Sequence, residues 1–509
     1  MEKVSFEKGI KNKRKTGILM PVSSLPSPFG IGTLGEGAYA FVDWLHSAGM
    51  SIWQVLPLLP TGYGDSPYQS CAADALNYYF IDFTLLAMEG LLQPSDYEDI
   101  VWSEDERRVD YGRQFAYKIP VLRKAFACFD RKDKAWLSFL EEGKYKDFGV
   151  FMTLKNKFSY VPWTAWEEPY KSCNLPQSFY KENEDEIAFW QFTQYIFIKQ
   201  WNALRNYAKE KGISIMGDMP IYLAEDSVEN WKYRDELFML DGEGKLALRA
   251  GVPPDAFSED GQFWGNPIYN WEKMKKNGYA WWNARIQDAF DTQFDIIRID
   301  HFRAFDRFFA IPSDAESAKE GEWMDGPKAE LFKNFKNAPI VAEDLGIIDD
   351  GVRKLLKETG YPGMKVFEFA FDGDPNNDYL PSNITDENCV LYTGTHDNDT
   401  LRSFIENKSV EERKVFEKIL EEECLNFDVA YVTETIEDEC QTVIELLISL
   451  KASTVIIPMH DVLCFGEEAR LNEPSTVSGK NWTFRFTEKD FKRRKAAWLK
   501  ALTEMYNRN

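Results

Sequence analysis

Three apolar runs in this chain end in carboxylates, and that pattern restricts the fold more than any other feature. The first reads Phe-Asp-Ile-Ile-Arg-Ile-Asp-His-Phe-Arg from Phe294 to Arg303. The second runs from Pro339 through Glu343 and Asp344 to Gly346, and the third from Cys389 through His396 and Asp397 to Asn398. Apolar runs this short are consistent with strands buried on both faces. Side chains alternate along a strand, so Arg298 and Asp300 share one face while Ile297, Ile299 and His301 share the other. A guanidinium on the face of Asp300 favours the ionised carboxylate. Taken alone, the pair reads equally as a structural ion pair at a strand end. Repeated at three ends, with intervals that leave room for crossover helices, it is what a (β/α)8 barrel presents at its C-terminal face.

Five further runs bring the strand count to eight: Thr16–Val22, Ser51–Leu59, Ser214–Tyr222 with Asp218 towards its end, Met364–Phe369 and Ser453–Met459. Their uneven spacing predicts a barrel interrupted by insertions. Residues 1–82 supply two strands and the loop Pro60–Ser70, which carries Tyr63, Asp65, Ser66 and Tyr68 at a barrel mouth. Over residues 83–212 the strand signal fades and helical periodicity takes over, with an amphipathic helix at Ile187–Lys211. That span is too long for a βα connection and reads as an inserted, mostly helical subdomain. Residues 213–223 form the third strand and 224–271 a second, lid-bearing insertion. Residues 272–509 supply the rest of the barrel, with a further loop excursion near 312–335. Gly30, Gly32, Gly35 and Gly37 resemble a phosphate loop only superficially, because no Gly-Lys-Ser/Thr accompanies them.

The net charge of −23 argues against nucleic acid and anionic membranes as partners and suits an uncharged substrate. Seven scattered cysteines without a Cys-x-x-Cys motif fit free thiols in a reducing compartment. With four histidines and no His-Glu-x-x-His, neither a metal nor another cofactor is expected. The N-terminus is basic at Lys11, Lys13, Arg14 and Lys15 but has no apolar core, and no apolar run reaches the ~18 residues of a membrane span. A cytoplasmic location is therefore expected.

Two carboxylates flanking one bond are the minimal apparatus for cleaving a glycosidic linkage. Asp300, beside Arg298, suits the nucleophile. Glu343 must start protonated to act as general acid, and negative charge at Asp300 and Asp397 pushes it in that direction. Asp397, with His396, is placed to grip sugar hydroxyls. Asp344 alternates away from Glu343 and is left out of the site.

The motifs Ile299-Asp300-His301-Phe302-Arg303, Val341-Ala342-Glu343-Asp344-Leu345-Gly346, Gly394-Thr395-His396-Asp397-Asn398-Asp399-Thr400 and Tyr63-Gly64-Asp65-Ser66-Pro67-Tyr68-Gln69-Ser70 resemble those of the 4-α-glucanotransferases, the amylomaltase or disproportionating-enzyme family of the α-amylase clan. The resemblance runs from about Gly17 to Arg485. It implies an α/β fold, a (β/α)8 barrel with inserted subdomains, and retaining transfer of α-1,4-glucan segments between maltooligosaccharides without metal. It also implies Asp300 as nucleophile, Glu343 as general acid/base and Asp397 as transition-state stabiliser. Tyr68, Asp218, Arg298 and His396 match residues around the donor sugar, Trp264 an acceptor contact on a lid, and Tyr63 a peripheral glucan site. The chain departs from the family pattern at Ala256, where Tyr is usual, and at Ser382 and Ile384 within Pro381–Ile384. It departs also at His460 and at Ala75-Leu76-Asn77-Tyr78. These departures leave acceptor and chain-length preference open. A hydrolase with the same carboxylates and a glucan-binding protein without catalysis are the competing expectations.

Overall fold

The computed structural model describes residues 14–254, 260–346 and 348–508, apart from the Tyr63 side chain. Its strands, in chain order, are β1 (Lys15–Leu19), β2 (Ile52–Gln54), β3 (Ser214–Met219), β4 (Leu248–Val252), β5 (Gln262–Pro267) and β6 (Ile296–Ile299). They continue as β7 (Arg307–Pro312), β8 (Glu322–Asp325), β9 (Ile340–Ala342), β10 (Gly363–Val366), β11 (Cys389–Tyr392) and β12 (Thr454–Pro458). Eight of these form one parallel sheet in the order β10-β11-β12-β1-β2-β3-β6-β9. Every expected barrel strand is present, most of them shorter than its apolar run. β2 stops at Gln54 because Pro57 and Pro60, further along, offer no N–H to a ladder. β10 ends at Val366, where Phe367–Ala370 coil into a 3-10 turn.

The sheet closes into a barrel where β9 approaches β10, and the closure uses a residue the sequence reading set aside. Ala342 N–H donates to Pro362 O at 2.9 Å, and Met364 N–H donates to Asp344 Oδ1 at 2.6 Å. The Asp344 carboxylate thus replaces a missing rung of the ladder. Gly363 makes room for it, since a Cβ there would lie 2.5 Å from Asp344 Oδ2.

The helical insertion is built around Glu184–Glu210, a 27-residue helix. Its apolar face buries Trp190 and Trp201, and Trp201 Nε1 donates to Gln293 O at 3.0 Å, joining the helix to the barrel. Two glutamines on the same helix read the main chain leading away from β2. Gln194 accepts from Leu76 N–H at 2.7 Å and donates to Leu76 O at 3.0 Å, and Gln200 pairs with Asp82 in the same way at 2.8 and 3.0 Å. Because only backbone is read, the unusual Ala75–Tyr78 sequence leaves this attachment intact. The remaining strands form a separate antiparallel sheet in the order β5-β4-β7-β8. The second insertion and the segment after β6 therefore share one sheet, which carries Trp264 beside the barrel mouth.

Candidate active site

Strand register performs the first step of assembly. Asp218 on β3 is the cross-strand partner of Arg298 on β6, and both are buried. Arg298 Nη1 donates to both Asp218 oxygens at 2.7 Å and to Asp300 Oδ1 at 3.1 Å. The Tyr68 hydroxyl donates to Asp218 Oδ2 at 2.9 Å, while its ring stacks on His396 with centroids 5.1 Å apart. Asp300 and Glu343 leave adjacent strands: Asp300 N–H donates to Met219 O, and Glu343 N–H to Ile299 O. The backbone then turns at His301, whose φ of 48° is left-handed. That turn aims its N–H at Glu343 Oε2, 2.6 Å away, while Leu345 N–H donates to Oε1 at 2.8 Å.

The ionisation of this cluster differs in cause from the sequence expectation. Burial raises the Asp300 carboxyl above the ordinary carboxylate range, and Asp218, Glu343 and Asp397 add to the rise against the opposing pull of Arg298. Arg298 still favours the ionised Asp300, but its guanidinium is committed first to Asp218, and burial outweighs the share that Asp300 receives. Asp300 keeps 30% of its side chain open to the cleft, so water offsets part of this push. Glu343 is also raised, by burial first, against Arg298 and its two backbone donors. Burial lowers His396, and it lowers His301 to about 3, so both imidazoles are neutral at pH 7.

A cleft of about 750 Å3 opens over these groups, lined among others by Ser66, Tyr68, Trp264, Asp300, His396 and Asp397. Trp264 packs edge-on to His301 with ring centroids 4.9 Å apart, and neighbouring Phe263 is 44% exposed, an apolar surface facing the opening. Asp65 is not among the lining residues; it sits in the left-handed region beside Tyr79 and Tyr111. Ala256 and Phe257 of the lid, and the Tyr63 side chain, lie outside the described residues. The sequence reading missed the opposite wall, Asn472–Val477 with Asn481 and Trp482. Asn472 Nδ2 donates to Asp397 Oδ1 at 2.7 Å, and Trp482 packs against both Tyr68 and His396. The Asn-Glu-Pro-Ser-Thr run ahead of a tryptophan was the available signal, a long polar loop of the kind that carries function. Among the described residues no group of three or more His, Cys, Asp or Glu is arranged to hold a metal ion, and no helix is long and apolar enough to cross a membrane.

The sequence pattern described as 4-alpha-glucanotransferase matches residues 20–490. The chain belongs to the 4-α-glucanotransferase family. A Clostridium butyricum 4-alpha-glucanotransferase is 42% identical over 503 residues, covering 96% of this chain and 100% of the relative. The Thermus thermophilus 4-alpha-glucanotransferase is 39% identical over 512 residues, 97% of this chain and 99% of its own. Among solved structures, amylomaltase from Streptococcus agalactiae in complex with acarbose superposes with a TM-score of 0.91 at 40% identity, covering 98% of this chain and 100% of that one. The fold is the (β/α)8 barrel of these glucanotransferases. Two of the family departures lie away from the cleft lining, one exposed and one buried. Ser382 is fixed by its N–H and hydroxyl on Glu423, at 2.8 and 2.7 Å, and His460 is buried beside Asp461 at the end of β12. Ile384 is half-buried and packs against the main core.

Proposed function

We propose that this 4-α-glucanotransferase works by retaining transfer of α-1,4-glucan segments through a covalent glycosyl-enzyme on Asp300. The observation that supports this most is the placing of Asp300 and Glu343 just after the hydrogen-bonded neighbouring strands β6 and β9, Asp300 lining the cleft and Glu343 held by the N–H of cleft-lining His301. In the first half-reaction an Asp300 oxygen attacks the anomeric carbon while Glu343 gives its proton to the departing glycosidic oxygen. Positive charge that develops on the sugar ring lies among Asp300, Asp397 and Asp218, fixed dipoles and charges that need no rearrangement. In the second half-reaction Glu343 takes the proton of an acceptor hydroxyl, which attacks the same carbon and frees Asp300. Each Glu343 step needs the proton to come and go, and the burial that raises its carboxyl favours the protonated start.

Transfer prevails over hydrolysis when the acceptor is held and water is kept out. Trp264 and Phe263 on one wall, and the Asn472–Val477 segment on the other, supply surface for a glucan chain. Incubation with maltotriose alone tests the reading. A ladder of shorter and longer oligosaccharides plus glucose, with little rise in reducing ends, is expected. Steadily climbing reducing ends with no product beyond maltotriose would establish the hydrolase instead. Asp300→Asn and Glu343→Gln should each lower kcat by about 10²–10⁴-fold or more with the fold retained.

A further inference from the structure

Two buried cysteines lie in sulfur contact just behind the wall that holds Asp397. Cys440 is in the helix Ile436–Ser449, and Cys464 follows the short helix Met459–Val462 at the end of β12. Their Sγ atoms are 3.7 Å apart, and both thiols are free. The remaining cysteines (Cys71, Cys128, Cys173, Cys389 and Cys424) show no such partner among the described residues. The two sulfurs are not equivalent. Cys464 keeps 9% of its surface accessible while Cys440 keeps 1%, so a small oxidant meets Cys464 first. Cys464 also faces the cations Arg402 and Lys495, whereas Cys440 faces Asp461 and Glu439. Glu437 opposes the two cations at Cys464, yet the balance favours the thiolate on Cys464 over Cys440. The contact between the two thiols is the largest influence on both, lowering Cys464 and raising Cys440.

We infer that Cys440 and Cys464 form a reversible redox site, in which a hydroperoxide converts the dithiol to a disulfide and thereby disturbs Asp397. The Cys464 thiolate attacks one peroxide oxygen and the O–O bond breaks, giving a sulfenic acid and, from hydrogen peroxide, a hydroxide that becomes the first water by taking back the proton Cys464 released on ionising. Cys440 then attacks the Cys464 sulfur as the S–O bond breaks, and its proton leaves with the hydroxide as the second water. Two thiols lose two electrons and the peroxide gains them.

The link to the site is covalent and short. Cys464 itself is left-handed, with φ of 58°, and the chain runs from it through Gly466 and the turn Glu467–Ala469 to Arg470 and Asn472. Asn472 Nδ2 holds Asp397 Oδ1 at 2.7 Å, and Arg470 Nη2 reaches the Asp397 carbonyl at 3.4 Å. A disulfide bond is about 2.05 Å long, so closing the 3.7 Å contact moves the two side chains against the segments that carry them. Close-packed interiors pass such shifts on rather than absorb them. Displacement on the order of 1 Å at a catalytic group costs up to about 10²-fold in rate.

The test uses the reduced full-length enzyme carrying Cys128→Ser, which removes the exposed thiol, titrated with hydrogen peroxide. The expected result is a Cys440–Cys464 linked peptide by mass spectrometry that grows with peroxide. Maltotriose disproportionation should fall about ten-fold in parallel and return with dithiothreitol. Adding Cys440→Ser should abolish the link and leave Cys464 as a sulfenic acid that dimedone traps, while Cys464→Ser should leave Cys440 unmodified. Absence of the linked peptide in the enzyme with both cysteines, or dimedone on Cys440 in Cys464→Ser, overturns the redox site. The functional half rests on the proposed role of Asp397. A linked enzyme of unchanged activity, where Asp397→Asn is inactive, would refute the coupling and leave that role standing.

Discussion

Replacing Arg298 by methionine should move the acid limb of activity upwards. The guanidinium sits 3.1 Å from Asp300 Oδ1, and at an effective dielectric of about 20 a charge pair at that distance is worth about 5 kcal/mol. Asp300 is 30% open to the cleft, so screening reduces the usable part to roughly half, on the order of two pH units in its ionisation. The sign follows from the role. Asp300 attacks as the carboxylate, its carboxyl is already raised by burial, and losing the cation raises it further. Activity is lost as pH falls through that value, so the limb shifts to higher pH. The same change leaves Asp218, fully buried, without its cation and should cost about 3–5 kcal/mol of stability. Two companions separate the effects. Arg298→Met with Asp218→Asn should recover much of the stability while keeping the shifted limb, and Arg298→Lys should keep the limb near its original place, because all three contacts come from one guanidinium nitrogen, Nη1, whose position an ammonium can take. The assay is kcat/KM for maltotriose disproportionation from pH 4 to 9, alongside thermal unfolding of each variant. A limb that stays in place in the folded Arg298→Met enzyme would refute the electrostatic argument.

Three further outcomes are expected. Lys118 is fully buried, its Nζ lies 4.2 Å from the Phe83 ring centroid with no hydrogen-bond partner among the described residues, and burial lowers it to about 7. Lysine in the unfolded chain titrates near 10.4, so holding the charge costs on the order of 4 kcal/mol at pH 7 and below, and the cost vanishes as pH rises towards 10.5. Lys118→Met should therefore raise the unfolding temperature at pH 6–7 and lose that advantage near pH 10.5; a pH-independent difference by scanning fluorimetry would contradict this. Gly363→Ala should drive a methyl group against the Asp344 carboxylate, loosen the β9–β10 closure and cost about 1–3 kcal/mol, read by urea unfolding, with Gly217 as a second strand position equally intolerant of a side chain. Exhaustive chelation with EDTA should leave disproportionation unchanged, and activity restored only by calcium would reveal an oxygen-ligand site.

The sequence by itself determined the eight barrel strands and the ends at which their acids emerge. Both follow from local apolar runs and from period-two alternation, which need no knowledge of neighbours. It also placed Asp300 and Glu343 directly after their strands, whereas Asp397 lies in the loop beyond β11, which ends at Tyr392. What sequence left undetermined depends on register, burial and long-range contact. The pairing of Arg298 with Asp218 is a cross-strand contact between residues 80 apart, and only register shows that the guanidinium serves Asp218 before Asp300. Asp344 points away from Glu343, as alternation requires, yet its task of closing the barrel at Met364 exists only once β9 and β10 meet. Asn472 reaches Asp397 from a loop with no periodicity to mark it, and Cys440 meets Cys464 across a helix and a strand end. The direction of the Asp300 shift was inverted for the same reason. A neighbouring cation is visible in a sequence, whereas the loss of surrounding water that outweighs it is a property of the packed site alone.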